Sequence, residues 1–565
     1  RALHRGAARR TIIPLNRWLY ILLLVACGGH RTGHFDDVPD HAPKLVVLVV
    51  VGQWPEWSFE QKRTSFHGGF ARMLADGEWH VGHHPSAATL TAPGHALLGT
   101  GEPPARSGIL GNQWWHRDLG VKLHAVEAVD GSVTAEWLRV NGLGDSIAAA
   151  KTGAKAVSIS LEDRASILSL GHAGLPIWWD LATQKWTTLG TAPAWLAAYN
   201  ATNPVMARAK QVWTPLDAAK LAQLSGTTDD QPGETGGEKG FGPTFPHDPA
   251  TTPKPDEAFF AMPLGNEVVF DAARAAIAGE HLGADRTPDL LIVSLSAHDY
   301  IGDAWGHESW EQWDAELRID ELLGRFMDDL DKRLGAGNWA MMITSDHGAS
   351  PMPERIGGGR ITFQQIQRAA NHAASAVLGP GTWIDNAHYP TIYFSKAMLA
   401  QPKGELASAT QRVMFALRAF PGIERVGRVA DYAGNCKQRT GVALVLCLTF
   451  DPDRSGDLLY MPASGWVLHD ADEPTATAPG SWHDYDQRVP LILIPPDRSA
   501  KHAPEVAPGS DLEMVRVASL LARWLGVKAP EALPRRPDPV PALGSGSDQP
   551  PAGSSAPGGS ASSSR

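Results

Sequence analysis

The most constraining feature of this chain is a series of short, almost wholly apolar segments separated by stretches with helical periodicity. The first segment, KLVVLVVVG, runs from Lys44 to Gly52 and is rich in β-branched residues, as is typical of a buried parallel strand. Similar segments lie at 154–160, 289–296, 339–345 and 489–495. The clearest helical pattern, 309–334, places Trp313, Leu317 and Leu323 on one apolar face. This alternation predicts an α/β fold, with a mostly parallel sheet sandwiched by helices.

Two stretches do not follow this alternation. Residues 175–260 are rich in Trp, Thr, Pro and Gly, and residues 355–470 mix a predicted helix at 362–377 with short strands and turns. We predict that both are cap insertions in a single large domain spanning 44–535. Residues 536–565 are dominated by Pro, Gly, Ser and Ala, a composition that cannot bury a core, and are predicted to be a disordered tail.

The N-terminal segment has the pattern of a targeting sequence. Several arginines precede an apolar run from Trp18 to Ala26, which is too short to span a bilayer. The run ends in LVACG, which resembles a bacterial lipoprotein cleavage box. That resemblance implies a signal peptide at 1–26, a lipidated Cys27 and a tether at 27–43. The alternative is an ordinary signal peptide. Gly28 after the cysteine favours the periplasmic side of the outer membrane, with the lipid anchor as the only membrane contact.

The remaining cysteines can form one disulfide and limit the types of side chain that could bind a metal. Cys436 and Cys447 are separated by a hairpin-like stretch, NCKQRTGVALVLC, and can form a disulfide in an oxidising compartment. Three scattered cysteines cannot build a thiolate zinc site, so any metal must be held by His and carboxylate side chains.

The formal net charge of −11 argues against a nucleic-acid partner, because phosphate backbones require clustered Lys and Arg.

Polar clusters follow the predicted strands. Gly52 and Gln53 end the first strand, HDYIGDAWGHES follows the strand at 289–296, and Asp346-His347 follows the strand at 339–345. A further segment, ATLTAPGHALLG, places Thr91 at a predicted loop-to-helix junction, where a hydroxyl lies in the positive field of the helix N-terminus. Because ligands of such sheets bind at the carboxyl ends of the strands, the four clusters together indicate a binding or catalytic site.

These clusters, together with GILGNQWW (108–115), SISLEDRASILSLGHAG (158–174) and YDQRVPLIL (485–493), resemble the alkaline phosphatase superfamily over roughly residues 44–525. The resemblance is closest to the threonine-nucleophile phosphatases of the type I phosphodiesterase/nucleotide pyrophosphatase branch. It implies an alkaline-phosphatase-like fold and a site with two zinc ions for phosphoryl transfer. By this resemblance Thr91 is the nucleophile, with Thr89 as the competing candidate. The remaining implied site residues are Asn112 and Arg164 for the phosphate, Asp346 and His347 for the nucleophile-side ion, and Asp299 and Asp303 for the second ion.

The chain departs from the family pattern within the site itself. Gly52 stands where the family has Asp, and Glu162 stands where it has Lys. Pro479 and Asp303 occupy two positions where the family has His; Asp303 can still bind a metal, whereas the side chain of Pro479 cannot. The departures predict a depleted metal site with one ion, or one suited to Mg, Mn or Ca rather than Zn. His298, His307 and His483 are possible substitute ligands, the alternative being that they are surface histidines.

Two functional hypotheses follow. The first is a phosphoric-ester hydrolase by descent, with a depleted bimetal site and weak or absent turnover, that binds a small phosphate ester or another anionic ligand. The alternative is an active phosphomonoesterase or phosphodiesterase with a remodelled metal site. A sulfatase is disfavoured because its nucleophile is Cys or Ser, whereas the chain has Thr91 at that position. A purely structural lipoprotein is the remaining possibility.

Overall fold

A computed structural model describes residues 42–496 and 511–531. The predicted signal peptide with Cys27, nearly all of the tether and the C-terminal tail lie outside the described residues. The described strands are β1 (Leu45–Val51), β2 (Glu78–His83), β3 (Gln113–His116), β4 (Val121–His124), β5 (Ala156–Ser160), β6 (Leu175–Asp180), β7 (Lys185–Thr188), β8 (Asp289–Leu295), β9 (Trp339–Thr344), β10 (Gly359–Thr362), β11 (Ile384–Asn386), β12 (Thr391–Phe394), β13 (Ile423–Arg428), β14 (Leu458–Pro462), β15 (Trp466–His469), β16 (Arg488–Ile494) and β17 (Asp511–Glu513).

The described α-helices vary from single turns to one of 25 residues. They are α1 (Glu56–Lys62), α2 (Gly69–Asp76), α3 (Thr91–Thr100), α4 (Pro104–Ser107), α5 (Leu143–Ala150), α6 (Asp163–Leu168), α7 (Ala194–Thr202), α8 (Val205–Arg208), α9 (Ala218–Ser225), α10 (Pro263–Gly279), α11 (Ala297–Trp305), α12 (Trp310–Leu334), α13 (Pro353–Ile356), α14 (Phe363–Leu378), α15 (Lys396–Leu399), α16 (Lys403–Arg418), α17 (Gly441–Thr449), α18 (Asp484–Gln487) and α19 (Val517–Trp524). In the described part of the chain, no helix is both long and apolar enough to cross a membrane.

A nine-stranded sheet with the order β17-β2-β16-β9-β1-β8-β5-β6-β7 forms the centre of the fold. Strand β1 is parallel to β8 and β9, and β5 is parallel to β8 and β6. Strand β16 runs antiparallel to its neighbours β2 and β9. The central strands β1, β8 and β9 are buried along their whole length, which explains their continuous apolar sequences. The α/β prediction is confirmed.

The register of the parallel strands brings the polar clusters together. Val51 pairs with Leu295, Val50 with Thr344, and Ser160 with Ser294, so β1, β8, β9 and β5 end at the same edge of the sheet. The residues that follow these strands therefore share one end of the molecule. The predicted helix at 309–334 is α12, which begins at Trp310 because the side chain of Ser309 accepts a hydrogen bond from the backbone N–H of Gln312.

Two local expectations are wrong. The predicted insertion at 175–260 begins later, because residues 175–188 form β6 and β7, the last two strands at one edge of the main sheet. The stretch between Cys436 and Cys447 is not a hairpin, because its apolar residues form the helix α17. The two cysteines form a disulfide that joins Cys447, within this helix, to Cys436 in the segment before it. Within 355–470, strands β11, β12, β14 and β13 form a separate antiparallel sheet whose residues share a hydrophobic cluster with α14 and α16.

Candidate active site

Thr91 is the first residue of α3, as predicted, and lies in a buried environment. The backbone carbonyl of Thr91 accepts a hydrogen bond from His95 Nδ1, and the next N–H, that of Ala92, donates to Asn112 Oδ1. These two bonds hold the peptide group between Thr91 and Ala92, at the start of α3, in place. The competing candidate Thr89 is engaged elsewhere: its hydroxyl donates to the carbonyl of Ser481 and accepts from the N–H of the same residue. The geometry therefore favours Thr91 as the nucleophile.

Two buried ligand atoms face each other at the end of β9. His347 Nδ1 donates to the carbonyl of Gly348, so Nε2 carries the free lone pair. This Nε2 and Asp346 Oδ2 lie 3.5 Å apart. Nε2 has no hydrogen-bond partner within the described ranges, and Asp346 Oδ2 lies 3.3 Å from His95 Nδ1, whose hydrogen bond goes to the carbonyl of Thr91. Asp299 Oδ2 is 3.9 Å from the same Nε2. Two ligands bound to zinc at about 2.0–2.2 Å in tetrahedral geometry are separated by roughly 3.4 Å, so Asp346 and His347 fit a metal ion.

The protonation states of Asp346, His347 and Asp299 depend on one another. Burial alone would raise the pKa of Asp346, but the imidazoles of His347 and His95 lower this pKa. For His347 the effects are reversed: burial alone would lower its pKa, but the carboxylates of Asp346 and Asp299 raise it. Burial also raises the pKa of Asp299 to about 7, with the imidazole of His347 opposing that rise. A cation placed among these groups would compensate the buried negative charge.

The second predicted metal position is arranged differently. The side-chain Nε2 of Gln53 donates to Asp299 Oδ1 at 2.6 Å and to Asp303 Oδ1 at 2.7 Å. Burial, and then the neighbouring Asp299 carboxylate, raise the pKa of Asp303 well above its ordinary value. Pro479 belongs to the segment that passes this position, since the N–H of Ala476 donates to the carbonyl of Asp303. The contacts at this position thus involve two carboxylates and an amide, and the amide already occupies one oxygen of each carboxylate.

Gly52, which stands where the family pattern has Asp, lies beside Asp299. A Cβ atom built on Gly52 would lie 3.2 Å from Asp299 Cβ and 3.3 Å from the carbonyl oxygen of Leu295. The backbone of Gly52 is therefore where a metal-binding side chain would start, in close but tolerable contact with its neighbours. Gly52 itself offers no side-chain ligand to this group.

Arg164, the predicted phosphate-binding residue, is already paired. Its Nη2 donates to Glu162 Oε1, and the hydroxyl of Tyr300 donates to the same oxygen at 2.9 Å. Burial lowers the pKa of Arg164, but the acidic groups around it, of which Glu162 has the largest effect, outweigh burial and raise this pKa. Glu162 therefore neutralises the guanidinium of Arg164. Asn112 accepts through Oδ1 from Ala92, which leaves its Nδ2 as the donor for a ligand.

The substitute histidines do not complete the site. The reading of His298 and His307 as surface residues is wrong, because both are fully buried. His298 Nδ1 donates to the carbonyl of Gly52 and Nε2 accepts from Gln312, while His307 Nε2 donates to Gln53 Oε1. His483 is turned towards the cap, where Nε2 donates to the carbonyl of Pro462. None of the three is directed at the Asp346–His347 pair by these contacts.

A buried cluster beside the site combines two of the predicted substitute histidines with Glu316, which was not predicted. His298, His307 and Glu316 have ligand-type atoms that all lie within 4.8 Å of one another. Glu316 forms a fully buried ion pair with Lys62, so an ammonium already balances its charge. The sequence contains one signal for this cluster. The acidic residue Glu316 follows Trp313 by three residues and therefore lies on the apolar face of α12, which indicates a buried carboxylate. Nothing in the sequence pattern assigned a role to Gln53.

Known proteins resemble this chain over most of its length. The family model described as type I phosphodiesterase / nucleotide pyrophosphatase matches residues 45–486. Alkaline phosphatase PafA of Elizabethkingia meningoseptica is 29% identical over 514 residues, which cover 85% of this chain and 91% of that protein. Alkaline phosphatase PhoV of Synechococcus elongatus is 28% identical over 491 residues, which cover 80% of this chain and 85% of that protein.

The crystal structure of wild-type PafA superposes with a TM-score of 0.76 at 26% identity, covering 89% of this chain and 99% of that one. This chain belongs to the type I phosphodiesterase/nucleotide pyrophosphatase family of the alkaline phosphatase superfamily.

Proposed function

We propose that this chain binds small phosphoric esters at Thr91 with one divalent cation and hydrolyses them slowly. The observation that carries the proposal is a pair of buried ligand atoms, Asp346 Oδ2 and His347 Nε2, that lie 3.5 Å apart. His347 Nε2 has no hydrogen-bond partner among the described residues, and the only charged neighbour of Asp346 Oδ2 besides His347 is His95 Nδ1 at 3.3 Å. A buried polar atom without a partner is costly, so Nε2 facing a carboxylate oxygen favours a ligand between the two. A cation satisfies both atoms at once.

Asp346 and His347 would hold this cation, with Asp299 Oδ2 as the nearest further ligand at 3.9 Å from His347 Nε2. When bound, it would supply positive charge that favours the ionised hydroxyl of Thr91. The fixed tautomer of His347 presents Nε2 without further rearrangement.

The residues of α3 would perform the transfer. Thr91 Oγ1 would attack the phosphorus and lose its proton, while the ester oxygen leaves and takes up a proton. Water then cleaves the phosphothreonine and releases phosphate. The N-terminus of α3 would favour the negative phosphoryl group, and Asn112 Nδ2 would donate to one of its oxygens.

Slow turnover follows from the other two parts of the site. The leaving oxygen would lack the second ion, because Pro479 provides no ligand and Asp303 is hydrogen-bonded to Gln53. The incoming phosphate would also have to compete with Glu162 for Arg164. One unit charge at about 4 Å contributes ~4 kcal/mol at an effective dielectric of 20, so an internal carboxylate is a strong competitor.

The second candidate function is an efficient phosphomonoesterase or phosphodiesterase with a remodelled site. The cluster of His298, His307 and Glu316 is the observation that favours it. However, Glu316 is paired with Lys62, and His298 accepts from Gln312. Both would have to exchange these partners for a metal ion, so we favour the slow single-cation enzyme.

The decisive experiment compares metal content and turnover of the purified protein. Aryl phosphate mono- and diesters are assayed with added Zn, Mn and Mg, with PafA measured alongside. We expect slow, metal-dependent turnover that Thr91→Ala abolishes and Thr89→Ala largely preserves. The combined variant Gly52→Asp, Pro479→His, Asp303→His and Glu162→Lys should gain activity. Turnover by the parent protein at the rate of PafA would contradict the proposal.

The location of the protein is a separate proposal. We propose a lipid anchor at Cys27 on the periplasmic side of the outer membrane, supported by the sequence LVACG. The disulfide between Cys436 and Cys447 supports an oxidising compartment. Membrane fractionation of the native protein and of Cys27→Ala tests this, because the variant should be released from the membrane fraction.

A further inference from the structure

We propose that the chain binds a calcium ion between the first turn of α12 and the segment 227–247. The ligands would be the carboxylates of Asp229, Glu234 and Glu311. The segment lies between α9 and α10 and contributes none of the residues of the active site. The calcium site is therefore independent of the proposed phosphatase function and of its cation.

Glu311 is a buried carboxylate with one oxygen that no donor reaches. It lies in the first turn of α12 and is 0% exposed. Its Oε1 accepts a hydrogen bond from His247 Nε2 at 2.9 Å, whereas its Oε2 has no partner among the described residues. Burial lowers the pKa of His247 to about 3, so this imidazole is neutral and does not compensate the charge of Glu311. A buried carboxylate oxygen without a donor is costly, which favours a ligand at Oε2.

Hydrogen bonds to two helices hold the segment 227–247 in place. The indole N–H of Trp310, in the first turn of α12, donates to the carbonyl of Thr227 at 3.1 Å. The backbone N–H groups of Thr235 and Gly236 donate to the carbonyl of Ala304 in α11, at 3.0 and 3.1 Å. Two of the proposed ligands lie in the stretch between these anchors, and therefore beside the start of α12.

Asp229 and Glu234 each have one oxygen in use and one available. Asp229 Oδ2 accepts from the N–H of Phe245 at 3.0 Å, and its Oδ1 is buried without a partner in the described part of the chain. Glu234 Oε2 accepts from the N–H of Gln231 at 3.0 Å, which leaves Oε1 for a ligand. The ring of Phe245 packs on that of His247, with centroids 4.8 Å apart, and His247 is the residue that binds the third carboxylate.

The negative charges of this group act on one another. Burial, and then the charges of Glu234 and Asp229, raise the pKa of Glu311 well above its ordinary value. Burial also raises the pKa of Glu234 to about 8, and Asp229 adds to this rise. The guanidinium of Arg355 opposes the rise, but it lies 3.9 Å from Glu308, with which it forms an ion pair. A divalent cation would supply the positive charge that balances these carboxylates.

Calcium is the cation that fits this donor set. The available atoms are carboxylate oxygens, and Ca²⁺ binds oxygen ligands from carboxylates, carbonyls and water at about 2.3–2.6 Å. Its coordination geometry is flexible, whereas Mg²⁺ requires a near-ideal octahedron and zinc is usually held by nitrogen and sulfur. Gly233, with a φ of 103°, allows the chain to turn between the two acidic residues of the segment.

Calcium titration of the full-length protein tests the proposal. The protein is treated with a chelator and desalted, and CaCl₂ is added in isothermal titration calorimetry and in differential scanning calorimetry. We expect a dissociation constant of about 10⁻⁴ M or below and a melting temperature that rises by several degrees at saturating calcium. Glu311→Gln keeps an oxygen for His247 but removes the charge, so calcium should bind at least about tenfold more weakly. Asp256→Asn removes an exposed carboxylate from the same part of the chain and should bind calcium like the wild type.

Two further variants cover misfolding of Glu311→Gln and binding of calcium elsewhere. Asp229→Asn changes a half-buried residue and should also reduce the calcium-dependent rise in melting temperature. Asp346→Asn alters the active site and should keep that rise. The proposal is overturned if calcium leaves the melting temperature of the wild type unchanged, or if Glu311→Gln and Asp229→Asn show the full rise. A rise that only Asp346→Asn abolishes would place the calcium in the active site and would overturn it too. None of these measurements uses turnover, so they are unaffected if the proposed function fails.

Discussion

Arg164 donates through Nη2 to Oε1 of Glu162, so the guanidinium at the phosphate side of the site is neutralised by a residue two positions away. Tyr300 donates to the same carboxylate oxygen and holds it in place. The pair explains how a buried glutamate is tolerated where the family has lysine. Under the proposed function, a phosphate that binds Arg164 has to break this internal ion pair.

Glu162→Gln should therefore strengthen phosphate binding. The amide keeps an oxygen for Tyr300 but removes the charge that competes for Arg164, so we expect about tenfold tighter inorganic phosphate, which corresponds to about 1.4 kcal/mol. Isothermal titration calorimetry measures this directly. Glu267→Gln, which removes a surface carboxylate paired with Arg208, is the control and should leave the affinity unchanged. Equal affinities for wild type and Glu162→Gln would show that Arg164 does not bind the phosphate.

The ion pair between Lys62 and Glu316 should be essential for stability, because both side chains are 0% exposed. Lys62→Met leaves an uncompensated carboxylate in the core, and we expect a loss of about 3–5 kcal/mol in the free energy of unfolding. Adding Glu316→Leu to Lys62→Met should recover most of that loss. Urea denaturation followed by fluorescence gives the values. Arg63→Met, which breaks the exposed pair with Glu60, should cost at most about 1 kcal/mol, and a similar small cost for Lys62→Met would refute the prediction.

Stability should depend on the protonation of His84. Burial lowers the pKa of His84 to about 4 from its ordinary value of 6.5, and its Nε2 donates to the carbonyl of Ser345. Because the folded pKa lies below the unfolded one, the contribution is fully present above about pH 6.5 and is lost as the pH falls towards 4. The stability difference between wild type and His84→Gln should therefore shrink by about 2 kcal/mol between about pH 7.5 and about pH 5.

Denaturant titrations at each pH measure this difference. His372→Gln, at an exposed position on α14, provides the comparison and should show no such trend. A constant difference between wild type and His84→Gln across this pH range would mean that His84 titrates normally in the folded protein.

The disulfide should stabilise the cap. Cys436 and Cys447 are 11 positions apart, and closing a loop of this size contributes about 2–3 kcal/mol in the chain-entropy account. We expect the double variant Cys436→Ala, Cys447→Ala to melt several degrees below the wild type in differential scanning calorimetry. Dithiothreitol should lower the melting temperature of the wild type towards that of the variant. If the reductant lowered both melting temperatures equally, its effect would not come from this bond.

Much of the fold could be predicted because its signals are local. The apolar run before Gly52 predicts a buried strand, and the periodicity of 309–334 predicts a helix that the structure shows as Trp310–Leu334. The position of Thr91 before Pro-Gly-His predicts a helix start, and α3 begins there. The failures are also local: GVALVLC is apolar enough for a strand, yet Gly441–Thr449 forms the helix α17 that packs Leu446 and Cys447 inward.

The sequence by itself determined the family, five strands of the main sheet and the helices α12 and α14, and it marked Gly52, Glu162 and Pro479 as departures from the family pattern. It did so because each signal lies within a few residues and depends on periodicity or a short motif. Only the tertiary structure decided which distant side chains meet at and beside the site. The amide of Gln53 meets Asp303 across 250 positions of sequence, and Lys62 meets Glu316 across 254. Such partners are selected by packing and by the cost of leaving buried polar groups unpaired, and neither leaves a pattern in the neighbouring residues.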